Sequence, residues 1–185
     1  IANFFVYIVR YAVLDWGPTL LGEWKGVSIH HAGWMVAAFE ISGIVGMLVA
    51  GWATDRFFGG RGPRVCVICM ALATVFVALF WGISQPPMWL ATLLLGAAGF
   101  CIYGPQALVG IAAANIATKK AAATAVGFTG LFGYASTLVS GWGLGLLAQH
   151  YGWNIAVGAL ILIAIMGTLI FMAAWSAKAN GYDND

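Results

Sequence analysis

Six apolar stretches, each long enough to cross a bilayer, divide this sequence almost completely between them. A membrane helix needs about 20 such residues. The runs fall at roughly 1–21, 32–54, 64–84, 87–116, 121–149 and 153–176. Between them lie the polar and turn-forming segments GEWKGVSIHH, DRFFGGRGPR, SQPP, ATKK and HYGWN. Charged residues make up 8% of the chain, against about a quarter in a soluble domain. So few charges cannot cover a globular surface exposed to water. Hydrocarbon offers the backbone no hydrogen-bond partners, so each span must be a helix. The expected fold is all-α: a polytopic membrane protein of six transmembrane helices, with the lipid bilayer as its first partner.

The cations are distributed unevenly. Arg56, Arg61 and Arg64 sit in the second connection, Lys119 and Lys120 in the fourth, and Lys178 after the last span. An even number of spans brings all of these to one side, and the other side receives only Lys25. The positive-inside rule then assigns those loops, the 179–185 tail and the C-terminus to the cytoplasm. Helix one runs outward. No charged n-region or cleavage site precedes it, and Ile1 already lies inside an apolar run. The chain is therefore expected to be a piece of a longer protein. No basic run or basic helix face points to nucleic acid.

Cysteine and histidine offer little chemistry. Cys66 and Cys69 form C-V-I-C inside an apolar run, with neither a second pair nor a nearby His. They read as small buried hydrophobes, and no metal site or cofactor is expected. His30, His31 and His150 fall in the connections, without an HExxH pattern. The Trp residues near the span ends (Trp16, Trp24, Trp34, Trp153, Trp175) read as interfacial anchors. Glycines recur at close-packing intervals, with Gly127, Gly130 and Gly133 dense enough to suggest a face of helix five that moves or lines a cavity.

The charges left inside the spans are more informative. Arg10 lies about 15 Å along a helix that begins near Ile1, close to the bilayer midplane. Insertion scales put the cost of Arg there at about 2.5–3.5 kcal/mol, so it must face a partner or an aqueous cavity. Two readings stand side by side. Arg10 could form a structural ion pair with Glu40 or Asp15, the other charges at comparable depth. Alternatively, its planar fork could bind an anionic substrate, phosphate or carboxylate, bidentately. Tyr7, three residues before it, shares its face and could add a hydroxyl donor.

The second connection has its own pattern: Gly51-x-x-x-Asp55-Arg56, followed by Arg61 and Arg64. These residues could serve simply as topology determinants. Their spacing also resembles the loop motif that major facilitator transporters carry after the second helix of each half, where it latches one conformation. The glycines and basic residues of FFGGRGPR are slightly displaced from that pattern.

Six helices, this loop and a midplane arginine in the first span look like the C-terminal half of a major facilitator transporter. FVYIVRYAVLDWGPTLL, AGFCIYGPQALVG and KKAAATAVGFTGLFGYAST resemble the organophosphate:phosphate antiporter family across essentially the whole chain. The resemblance implies that Arg10 binds the substrate's phosphate group, opposite an arginine in an N-terminal six-helix half that this chain does not include. It implies that Tyr7, Tyr103 and Tyr134 line the central cavity, with Asp15 and Glu40 as charge partners. Ala12 stands where the family often has Gly. Val126 and Thr129 replace an acid–lysine pair associated with the hexose-6-phosphate branch, which favours glycerol 3-phosphate or a related small organophosphate. ASTLVSGWGLGLLAQHYGW also resembles the sugar-phosphate sensor branch.

The implied activity is exchange of a phosphate ester for inorganic phosphate by alternating access in a bacterial inner membrane. No Walker-type GxxxxGK[ST] is present, so ATP is not expected to drive it. The rivals are a membrane receptor that reports a sugar phosphate to a partner kinase, and a membrane-embedded enzyme. The histidines give the second of these little to work with, so no enzymatic activity is expected.

Overall fold

The computed structural model describes residues 1–118 and 120–177. Among the described residues, six helices are long and apolar enough to cross a membrane: α1 (Ala2–Lys25), α2 (Ile29–Phe58), α3 (Gly62–Gly82), α4 (Met88–Ile116), α5 (Ala122–Tyr151) and α6 (Trp153–Ala173). No strand occurs among the described residues.

The helices outrun the apolar stretches at several ends, and capping explains where they stop. α1 continues through Glu23 and Lys25 to Gly26, whose φ of 67° caps it in the left-handed region. Ser28 opens α2 by accepting a hydrogen bond from the His31 backbone N–H. His30 and His31 are therefore in a first helical turn, and His150 is in the last turn of α5. Asp55 and Arg56, expected in a loop, belong to the end of α2; the turn itself is Gly59–Gly60, with φ of 57° and 75°. Glycine adopts these angles at little cost, and Pro63 then starts α3 where no N–H is needed.

The helices pack in a pattern that repeats itself. α2 lies on α4 as α5 lies on α1; α3 lies on α4 as α6 lies on α1; and α3 meets α6. Exchanging α1 with α4, α2 with α5 and α3 with α6 leaves this set of neighbours unchanged. Three spans per unit means that the two units have opposite topology, an inverted repeat. The starts of α1, α3 and α5 and the ends of α2, α4 and α6 share one end of the bundle. That end carries Arg56, Arg61, Arg64 and Lys120, and the opposite end carries Lys25. Lys119, Lys178 and the 179–185 tail lie outside the described residues.

Two irregularities shape the interior. Pro105 sits inside α4, buried, and cannot donate to the Cys101 carbonyl. α5 changes to π geometry over Val139–Gly143 before resuming as an α-helix. Such a turn leaves backbone carbonyls without their usual i+4 donors. The Trp16 indole N–H fills the gap, donating to the Ser140 and Gly141 carbonyls at 3.1 and 3.0 Å. Cys66 and Cys101 are buried and Cys69 half-buried, all as free thiols packed in or against the core.

Candidate functional site

The site forms where α1, α2, α4 and α5 converge, and helical spacing builds it. On α1, Asn3, Tyr7 and Arg10 follow i, i+4, i+7, so all three face the same neighbours. On α4, Tyr103 and Gln106 follow i, i+3. α1 and α4 run in opposite directions, so stepping back along α1 matches stepping forward along α4. The result is two polar rungs about 4.5 Å apart at 1.5 Å per residue.

The first rung holds Arg10, Glu40 and Tyr103. The Arg10 guanidinium carbon lies 4.5 Å from the centre of the Tyr103 ring and 5.5 Å from that of Tyr11. Both are within cation–π range. Its Nη2 stands 3.6 Å from Glu40 Oε2, the only ion pair among the described residues. The Tyr103 hydroxyl donates to the same carboxylate oxygen. Glu40 is thus the charge partner that Arg10 finds. Asp15 points to an exposed surface of α1, and five residues of helix turn it away from Arg10.

Even so, the rung does not saturate its own polar groups. Arg10 Nε and Glu40 Oε1 are buried and have no hydrogen-bond partner among the described residues. The guanidinium therefore retains donors for a further acceptor. At 3.6 Å, the contact with Glu40 is longer than the roughly 2.7–2.9 Å of a charge-assisted hydrogen bond.

The second rung is neutral. Tyr7 lies edge-on to Tyr134 of α5, ring centres 6.2 Å apart, and 5.6 Å from Tyr11. Gln106 of α4 falls on this rung through its spacing from Tyr103. Tyr134 is 64% exposed, so it borders the cluster without being enclosed by it. One turn further toward the basic end, buried Asn3 donates from Nδ2 to the Thr129 carbonyl at 2.9 Å, joining α1 to α5. Asn3 Oδ1 and Gln106 Oε1 are likewise buried without partners among the described residues.

The structure therefore brings together Arg10, Tyr7, Tyr103, Tyr134 and Glu40, and leaves Asp15 apart. Reading the sequence missed Asn3 and Gln106. Neutral amides do not stand out among apolar residues, but their i, i+7 spacing from Arg10 and i, i+3 spacing from Tyr103 were available signals. The α2–α3 motif lies elsewhere, at the basic end. There Gly51 and Asp55 help line a cavity of about 170 Å³ with Thr54, Leu108 and Asn115. Arg61 is half-buried beside it. Arg64 donates to the Trp175 carbonyl at 3.4 Å and ties α3 to the segment after α6.

Among known proteins, the profile of the Major Facilitator Superfamily matches residues 1–181. A probable hexose phosphate transport protein of Chlamydia muridarum is 42% identical over 96% of this chain and 39% of its own length. The glycerol-3-phosphate transporter of Haemophilus influenzae is 36% identical over 97% of the chain and 42% of its own length. The hexose-6-phosphate:phosphate antiporter of Escherichia coli is 34% identical over 93% and 38% respectively. Membrane sensor protein UhpC of Salmonella typhimurium also matches, at 34%. The chain spans about two fifths of the length of these relatives.

Proposed function

This chain belongs to the major facilitator superfamily, and from that premise we propose that it forms one six-helix half of a transporter exchanging a phosphate monoester for inorganic phosphate. The observation that carries this reading is Arg10: a permanent cation inside a membrane span, flanked by two tyrosine rings, with donors left over. A phosphoryl group supplies what such a cation lacks, namely several anionic acceptors in a geometry that a planar guanidinium can meet bidentately. Transport rather than catalysis is the activity proposed, and the relatives named as transporters support it.

In this mechanism the ester or phosphate enters near the midplane between this half and an N-terminal six-helix half, which supplies an opposing arginine. Binding sites at repeat interfaces are the common transporter arrangement. Arriving phosphoryl oxygens would compete with Glu40 for Arg10, and Tyr103 would hold the displaced carboxylate. Tyr7 and Tyr134 would border the bound ester. Engagement of both arginines draws the halves together, and reopening to the opposite side completes the exchange. Opposing phosphate gradients provide the drive. The bacterial inner membrane, with the basic end and C-terminus cytoplasmic, is the proposed location. The α2–α3 motif of Gly51, Asp55, Arg56 and Arg61 would act as a latch at that end.

The test is phosphate counterflow in vesicles containing the full-length protein. Arg10→Lys keeps the charge but loses the fork, and exchange should fall at least tenfold, the effect of about 1.4 kcal/mol. Exchange at the wild-type rate would sink the assignment. The likeness to a membrane sensor protein supports a second reading, a receptor for the same ligand signalling to a partner kinase. Ligand binding without counterflow would favour it.

A further inference from the structure

The proposed exchange gives Arg10 a role and leaves three buried oxygens unexplained. Asn3 Oδ1, Glu40 Oε1 and Gln106 Oε1 have no hydrogen-bond partner among the described residues. A buried acceptor without a donor is costly, so such groups usually have a purpose. All three are acceptors, and the phosphoryl group of an ester dianion has no donor to offer them. What they suit is a ligand that carries hydroxyl groups.

Position separates the three. Glu40 already accepts from Tyr103 through its other oxygen and faces Arg10. Asn3 lies a turn further toward the basic end and is committed to α5 through its amide nitrogen. Gln106 stands on the rung next to Arg10, three residues beyond Tyr103 on α4. The offset of about 4.5 Å along the helix axis is close to the span from a phosphorus atom to a hydroxyl on the carbon next to the ester carbon. Just before Gln106, Pro105 breaks the α4 hydrogen-bond ladder and is fully buried, which fixes how this rung is presented.

We infer that Gln106 is a specificity-determining residue: its amide oxygen accepts a hydrogen bond from a hydroxyl on the organic moiety of the substrate while the phosphoryl group sits on Arg10. The substrate class is then a polyol phosphate, bound with its carbon chain pointing toward the basic end. Inorganic phosphate uses the Arg10 rung alone. This inference rests on the phosphate-exchange reading and adds a division of labour within that site.

The experiment measures inhibition of phosphate self-exchange in vesicles containing the full-length protein. The competitors are glycerol 3-phosphate and glucose 6-phosphate, each set against its hydroxyl-free counterpart, propyl or hexyl phosphate. In the wild type, at least one polyol ester should compete about tenfold better than its alkyl partner, the worth of one good hydrogen bond. Gln106→Met keeps the side-chain length without the amide. It should reduce that preference to less than about threefold, read as the ratio of the two inhibition constants within each variant so that any change in basal exchange cancels. Gln106→Ala should behave likewise. A preference that survives both substitutions overturns the inference. So does a parallel fall in phosphate exchange and in competition by both kinds of ester, which would make Gln106 a structural residue. A wild type that exchanges no phosphate at all overturns the underlying reading, and this inference with it.

Discussion

The α2–α4 seam and the α1–α5 seam occupy equivalent places in the inverted repeat, yet they are built differently. In both, a tyrosine ring lies over a glycine: Tyr103 over Gly43 in one, Tyr7 over Gly133 in the other. Beyond that the likeness ends. Across α2–α4, glycines press on backbone; a Cβ at Gly46 would strike the Phe100 carbonyl, and one at Gly99 the Phe39 carbonyl. Ser42 reinforces the crossing by donating to the Gly96 carbonyl at 2.7 Å. Across α1–α5, glycines meet side chains instead. A Cβ at Gly133 would come 3.1 Å from the Tyr7 ring, and Gly145 faces Trp16. Side-chain donors bridge this second seam: Asn3 to Thr129, and Trp16 to the π turn. Burial follows the same division: 61% of α4's and 28% of α2's most apolar stretch is buried, against 33% and 22% for their counterparts α1 and α5.

Backbone pressed on backbone cannot yield without moving a helix, whereas a side chain can rotate. The first seam therefore reads as a fixed hinge plate and the second as an adjustable one. Substitutions can test this contrast. Gly46→Ala should have the largest effect. The clash is with backbone, so a loss of about 3 kcal/mol or more is expected, and folded protein should be scarce on size-exclusion chromatography. Gly99→Ala and Gly133→Ala form a matched pair, the first meeting the Phe39 carbonyl and the second the Tyr7 ring. The first should cost about 1–3 kcal/mol and the second less than about 1 kcal/mol, measured by thermal unfolding in detergent. Equal losses would remove the contrast. Trp16→Phe should cost about 1 kcal/mol for the lost indole donor. Its signature is local: faster amide exchange within and just after Val139–Gly143, with α2 and α4 unchanged.

How much of this was legible in the sequence depends on the scale of the feature. Hydropathy placed all six spans, because the membrane permits few alternatives for a run of apolar residues. It missed the ends of α2 by a few residues because a cap, not polarity, stops a helix. Ser28 starts α2 ahead of its apolar run, and Gly59 ends it beyond Asp55 and Arg56. Arg10 was conspicuous, since a permanent charge in an apolar run demands a reason. The choice of Glu40 over Asp15 needed the contact between α1 and α2, which no single helix encodes. Gln106 and Asn3 carry no charge to draw notice, and only their helical spacing from Tyr103 and Arg10 pointed to them. The π turn was illegible for another reason: VSGWG suits an α-helix equally well, and only the Trp16 indole across the seam marks the difference.

That turn also fixes the count of residues in α5. A π segment holds one residue more than the α-helical path it replaces. Were the same residues to close into regular α geometry, with none deleted, everything after Gly143 would rotate by roughly 100° relative to everything before Val139, since 3.6 residues make a turn. Gly145 would swing away from Trp16, and the two ends of α5 could no longer both fit α1. The wide turn is thus a phase correction that absorbs one residue and keeps two parts of one helix in register with the same neighbour.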